Sequence, residues 1–267
     1  MPLPRLQLFE LEDLTWFPAT IRDLATDYLR FMEARFDLHR PIVPLLRQAL
    51  DEAGATDVVD LCSGGGGPLE AMSEALEAQG RPVRVTLTDR YPNLRAFRSL
   101  AAQHPAISYV AEPVDATDVP REMKGFRTMF NAFHHFPPEA AAAVLQSAVT
   151  AGQPVGIFEI PERTMSTIVP LLFSPVFVLL ASPFIRPFLW RRLLWTYLLP
   201  LVPLTCWWDG LVSQLRAYTV PELTALTSGL NSGGYRWTTG RVPIGATPGY
   251  LTYLIGIPGH AVPAPPA

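Results

Sequence analysis

"DVVDLCSGGGGPLEAM" (residues 57–72) sets four glycines in a row between a short apolar run and a stretch with helical spacing. The apolar run fits a fully buried strand, and Pro68 stands where a helix begins, a position that tolerates a missing N–H. Strand, glycine turn and helix in that order make the first half of a βαβ unit. Four successive side chains are dispensed with here, so something must approach that backbone closely.

The same alternation continues downstream. "VRVTLTD" (83–89) reads as a strand, "NLRAFRSLAAQH" (93–104) as a helix and "ISYVAEPVD" (107–115) as a strand. "FRTMFNAFHHF" (126–136) is a fourth strand with its loop, "PPEAAAAVLQSAVTA" (137–151) a helix and "PVGIFEI" (154–160) a fifth strand. Single buried strands alternating with helices predict parallel βαβ units. After "TVPELTALTSGL" (219–230), a helix, "YRWTTGRVP" and "GYLTYLIGIP" read as an antiparallel hairpin closing the sheet. Upstream, apolar residues from Ile21 to Leu50 recur at helical spacing, with Pro41 separating two helices. The expected fold is therefore a three-layer α/β sandwich with seven strands, mostly parallel.

Four segments follow. Residues 1–50 are a helical cover, 51–163 with 209–257 the core, 164–208 an apolar insertion, and 258–267 a proline-rich tail. A chain of 267 residues suffices for one large domain. Its net charge of -3 gives no reason to expect nucleic acid as a partner. Two cysteines, Cys62 and Cys206, make neither a disulfide framework nor a zinc site. "MPLPRLQLFELEDL" lacks the basic and apolar regions of a signal peptide, so the cytoplasm is the default compartment.

In such sheets ligands bind at the C-terminal ends of the strands, beside the first βα turn. The turn lacks the first glycine of a dinucleotide fingerprint, and no lysine follows as in a phosphate-cradling loop. Asp60 precedes the turn, with Cys62, Ser63, Gly64 and Gly66 along it. Asp89, about 20 positions past the glycines, can accept hydrogen bonds from a ribose diol.

This pattern resembles the class I S-adenosylmethionine-dependent methyltransferases. "VVDLCSGGGG" is similar to their first motif, with Cys62 in place of the usual first glycine. Asp89, followed by Arg90, matches their ribose-binding acid, and Asp115, followed by Ala116, the acid that meets adenine. "FNAFHHF" resembles their substrate-facing loop, with Asn131 facing cofactor or substrate. The likeness covers residues 20–160 and 210–257. It implies S-adenosylmethionine as cofactor, and a Rossmann-like fold. The plain structural alternatives are helix capping by either acid and tight packing at the glycines.

Methyl transfer from a sulfonium needs mainly alignment, with a base only where the acceptor must lose a proton. His135, His134 and Glu159 stand at the expected mouth as catalytic candidates, His135 foremost. No Asn/Asp-Pro-Pro-Tyr/Phe pattern follows the fourth strand, which disfavours nucleobase or glutamine nitrogens as acceptors. No trio of oxygen ligands stands out, so no metal is expected.

"MSTIVPLLFSPVFVLLASPFI" (165–185) runs 21 residues without a charge, and "LLWTYLLPLVPLTCWW" (193–208) adds 16 more. Prolines interrupt both runs, and both ends must return to one sheet. The segment is therefore expected to form short helices capping the crevice, with an outer face against a membrane surface or a second protomer of a homodimer, the alternatives being an ordinary buried subdomain and a spanning hairpin. Such a cap implies a lipophilic small-molecule acceptor, methylated at oxygen or carbon. Trp16, Phe17 and Tyr28 are expected to line the cover on the other side. Two rival readings keep different parts of this picture: an enzyme that uses the sulfonium for a rearrangement or cyclisation, and a membrane-associated scaffold without catalysis.

Overall fold

The computed structural model describes residues 3–230, 234–245 and 249–259. Two helices come first, α1 (Ala19–Phe36) and α2 (Val43–Ala53), parted by a single helical turn holding Pro41. The alternating part contains β1 (Asp57–Asp60), α3 (Leu69–Ala78), β2 (Arg84–Leu87), α4 (Leu94–Gln103) and β3 (Ile107–Tyr109). It continues with β4 (Phe126–Phe130), α5 (Pro138–Ala151) and β5 (Val155–Glu159). Residues 110–125 contain no helix, so β3 and β4 are joined by a loop. The third strand is correspondingly shorter than its sequence run suggests.

The strands lie in the order β3-β2-β1-β4-β5-β7-β6, where β6 is Arg236–Pro243 and β7 is Tyr250–Ile257. The first five are parallel, and the terminal hairpin is antiparallel to them. β4 and β5 are buried along their whole length, which is why β5 reads as an apolar run up to Glu159, while β4 buries Arg127 and Thr128 as well. α2, α3 and α4 cover one face of the sheet, while α5 and α10 (Val220–Ser228) cover the other.

The glycine run owes much of its composition to packing. A Cβ on Gly65 would stand 3.2 Å from the Thr26 carbonyl oxygen, because α1 lies directly over the turn. Gly66 has φ +100°, and a Cβ there would meet Leu100 Cδ1 of α4 at 2.2 Å. Gly66→Ala is therefore expected to cost about 1–3 kcal/mol, from backbone strain and overpacking, as a lowered denaturation midpoint. Cys62 also has a left-handed backbone, φ +58°. That conformation favours glycine, so the cysteine occupies a place where a glycine would be relaxed.

The apolar segment folds as α6 (Met165–Leu171), α7 (Ser174–Ala181), α8 (Trp190–Leu193) and α9 (Leu201–Arg216). The expected boundary at residue 208 falls inside α9, which runs unbroken into the core. No single helix among the described residues is long and apolar enough to cross a membrane. The pair Met165–Leu171 and Ser174–Phe184 passes on length and composition, but it is bent by 51°. The proline-rich tail from residue 260 onward lies outside the described residues.

One expectation is corrected by the packing. The insertion does not cap the crevice. Val178, Ala181, Ile185, Val202 and Cys206 pack against Ile21, Leu24, Ala25 and Tyr28 on the outer face of α1. Buried Arg192 anchors this contact, donating to Asp27 Oδ2 at 2.8 Å, and Arg95 of α4 donates to the same oxygen at 2.7 Å.

Candidate functional site

A cavity of about 500 Å³ opens at the C-terminal ends of β1, β2 and β4. Its size suits a small-molecule ligand. The wall includes Cys62, Ser63, Gly64, Asp89, Arg90, Asp115, Ala116, Asn131 and His135, all singled out in the sequence. Four other candidates lie behind it.

The Asp89 carboxylate joins the first two βα turns. Its Oδ2 accepts from the Gly64 N–H at 2.8 Å and its Oδ1 from the Tyr91 N–H at 2.7 Å. A carboxylate offers about four lone-pair sites, so each oxygen retains capacity toward the cavity. Asp115 accepts as many hydrogen bonds, but both fall on Oδ1, from the N–H and the hydroxyl of Thr117. Those hydrogen bonds, the hydroxyl one foremost, hold its carboxyl below the usual range. Turn capping and cavity lining thus coexist at this residue.

Asp60 is buried beneath the turn. Its Oδ1 accepts from Thr128 Oγ1 at 2.6 Å and its Oδ2 from Ser63 Oγ at 2.7 Å. Burial pushes its carboxyl up to about 7, against the pull of those hydroxyls. Its place is support for the loop, as is that of Gly66 against Leu100.

Asn131 has φ +50°, a left-handed conformation that asparagine tolerates. Its side-chain oxygen accepts from the Ile160 N–H at 2.8 Å, and Nδ2 donates to Glu33 Oε1 of α1 at 2.6 Å. Burial raises the Glu33 carboxyl to about 7, while the Asn131 hydrogen bond opposes it. Nearby His39 is pushed down to about 3 by burial, which leaves it neutral.

The two adjacent histidines have separate places. His134 is buried, and its Nδ1 donates to Glu159 Oε2 at 2.6 Å. Glu159 Oε1 accepts from the Phe133 N–H at 2.7 Å, so this pair fixes the loop after β4 from below. Neither residue reaches the cavity wall. Glu159→Ala leaves both donors buried without their partner, with an expected loss of about 3 kcal/mol. That corresponds to a melting temperature roughly 6–12 °C lower.

His135 does reach the wall. Its Nδ1 donates to Asp13 Oδ1 at 2.8 Å, and Glu12 and Glu10 stand at 3.6 and 3.5 Å. Burial alone would lower the imidazole, but Glu10, Asp13 and Glu12 together outweigh it and raise it to about 10. Glu10, His134 and His135 bring ligand-type atoms within 4.8 Å of one another. Arg216 already supplies positive charge there, at 3.1 Å from Glu10 and 2.7 Å from Asp13. The group therefore reads as an ion network that ties residues 10–13 to α9.

Sequence reasoning expected the N-terminal helix as a cover but chose the wrong face of it. Arg22, Asp23, Thr26, Leu29, Arg30 and Glu33 form one face of α1 toward the cavity, and Glu12 and Asp13 adjoin them. The expected aromatics do not line it. Tyr28 lies on the opposite face with Phe17, against the insertion, and Trp16 is exposed. Helical phase separates Tyr28 from Thr26 and Glu33. The signal available was a polar stripe, which a sequence alone assigns to solvent.

No family model and no curated protein matches this chain. Among solved structures, the methyltransferase domain of bacterial CtHen1-C is similar at 15% identity, with 84% of this chain and 100% of that one covered and a TM-score of 0.50. A Rhodobacter sphaeroides protein, described as "Putative Zn-dependent Alcohol Dehydrogenases", matches at 16% identity over 90% and 98% of the two chains, TM-score 0.51. An O-methyltransferase family protein from Burkholderia thailandensis matches at 17% identity and a TM-score of 0.46, covering 86% of this chain. This chain spans 59% of that protein's length. At these identities the likeness is one of architecture: the chain has the Rossmann-like, seven-stranded fold of the class I methyltransferases, with an antiparallel terminal hairpin.

Proposed function

We propose that the protein is an S-adenosylmethionine-dependent methyltransferase acting on a lipophilic small molecule. The observation that carries this reading is the meeting of the glycine turn, Asp89, Asp115 and His135 on one cavity at the C-terminal strand ends. In it, Asp89 accepts the ribose hydroxyls, the Gly64–Gly65 turn lies along the methionine and ribose portions, and Asp115 with Ala116 borders the adenine. S-adenosylmethionine supplies an electrophilic methyl group. The chain's contribution is to hold that group in line with the acceptor and to exclude water.

Leu29, Phe130, Ala132, Phe136 and Pro137 make an apolar portion of the wall near His135, which supports a lipophilic acceptor. His135, oriented by Asp13, is the group placed to take a proton from an acceptor hydroxyl, which makes O-methylation the favoured outcome. Such an acceptor collects at membrane surfaces, where the protein would meet it.

The test is incubation with methyl-labelled S-adenosylmethionine and an extract of the protein's own host, followed by phase separation. Label in the organic phase, with equivalent S-adenosylhomocysteine, supports the proposal. A consumed acceptor without S-adenosylhomocysteine indicates rearrangement instead. Failure to bind the cofactor leaves the scaffold reading.

A further inference from the structure

We infer that the outer face of the 165–208 segment docks on an anionic lipid bilayer, entering one leaflet without crossing it. The inference rests on that face alone and not on methyl transfer. Of 23 exposed large hydrophobic residues among those described, 15 fall between Met165 and Leu204. Single exposed hydrophobics are ordinary, but such a concentration marks an interaction surface.

α7 shows the organisation most clearly. Ser174, Val178 and Ala181 are its buried positions. Phe173, Phe177, Leu180 and Phe184, at spacings of four, three and four, point outward and are all exposed. A surface helix carries polar side chains on that face; this one is apolar on both. Leu198, in the stretch before α9, is 74% exposed, and Phe184 is 68% exposed.

Two features select a bilayer over a second copy or another protein, and a third limits the depth of entry. First, a protein interface carries roughly one hydrogen bond per 100–200 Å². Apart from the aromatic residues, the exposed polar side chains between 165 and 208 are only Ser166 and Arg186. Second, the segment has three arginines and no lysine, aspartate or glutamate. Arg192 is turned inward to Asp27 and Arg191 is half-buried, which leaves Arg186 exposed, four residues before Trp190, itself 71% exposed. Arginine and tryptophan together suit the headgroup level, the arginine favouring anionic lipid. Third, a helix of eight residues such as α7 is about 12 Å long, against a hydrocarbon core of about 30 Å. It can lie within one leaflet only.

The direct test is flotation of the full chain with vesicles of phosphatidylcholine containing phosphatidylglycerol, compared with the triple variant Phe173→Ser, Phe184→Ser, Leu198→Ser. These side chains are outward, so the variant should keep its melting temperature and its affinity for S-adenosylmethionine. The expected result is flotation of the native chain, reduced at least tenfold in the variant and weakened when phosphatidylglycerol is omitted. A native chain that stays with the vesicle-free fraction overturns the inference. So does a discrete dimer that neither floats nor survives the triple substitution, because the face would then be covered by a second copy. Loss of cofactor binding with flotation intact would strike the proposed function and leave this inference standing.

Discussion

Asp89→Ala is expected to weaken S-adenosylmethionine binding at least tenfold, measured by calorimetric titration. Two losses combine. A hydrogen bond to a charged group contributes about 1.5–3 kcal/mol, and tenfold corresponds to about 1.4 kcal/mol. The substitution also frees the Gly64 and Tyr91 N–H groups, so the glycine turn loses its tie to the turn after β2. Asp115→Ala supplies the contrast. Its carboxylate is exposed and bonds only to Thr117 within its own turn, so its replacement leaves the glycine turn tied and is expected to change affinity no more than about threefold. Equal affinity in native protein and Asp89→Ala would remove the ribose assignment.

His135→Phe should lower kcat at least about 100-fold, the span typical of general base catalysis, while leaving cofactor affinity within about threefold. The pH profile separates a base from a clamp. Glu10, Asp13 and Glu12 raise the imidazole to about 10 despite its burial, so the proton-accepting form is scarce at neutral pH. A base in that state makes kcat/KM climb about tenfold per pH unit between roughly pH 7 and 9. Asp13→Asn removes one of the acids and should move the rise to lower pH. Unchanged kcat in His135→Phe would leave the residue only its grip on the N-terminal segment. That grip has its own pH dependence. A folded pKa above the unfolded value of about 6.5 means stabilisation that is complete below that value. It declines as pH rises toward and through about 10.

How much of this was legible in the sequence depends on which atoms carried the signal. β1, the glycine turn and the Asp89 strand end are local patterns, and their geometry follows from short-range backbone rules. Asp89 could be placed at the cavity because it follows the end of β2, and Asp115 because it ends the apolar run of the third strand, although β3 itself stops at Tyr109. The distinction between His134 and His135 was not legible. The two imidazoles lie side by side, 4.4 Å between ring centroids, and which one meets Glu159 depends on β5, some 25 residues away. The face that α1 turns to the cavity was hidden for a different reason. Arg22, Thr26 and Glu33 make a polar stripe that water and a polar cavity explain equally well. The insertion was legible as short apolar helices, but its destination was not, because its partner face on α1 is simply another set of apolar residues at helical spacing.

The stretch from Leu3 to Asp13 has almost no partners nearby in the chain. Leu3 N–H donates to the Arg163 carbonyl, Leu6 N–H to Leu215, and Leu11 N–H to Asp209. Trp208 and Arg216 donate back to Phe9 and Leu8. Most of these ties span about 200 residues of sequence. During synthesis the ties to Asp209, Leu215 and Arg216 therefore wait until α9 has left the ribosome, and until then only Arg22 and the loop after β4 can hold the segment. The sheet through β5 can assemble before that moment, whereas the network around Glu10, Glu12 and Asp13 is completed only when Arg216 and Asp209 join it. The wall that orients the imidazole is consequently among the last parts of the molecule to form, although its residues are among the first to be made.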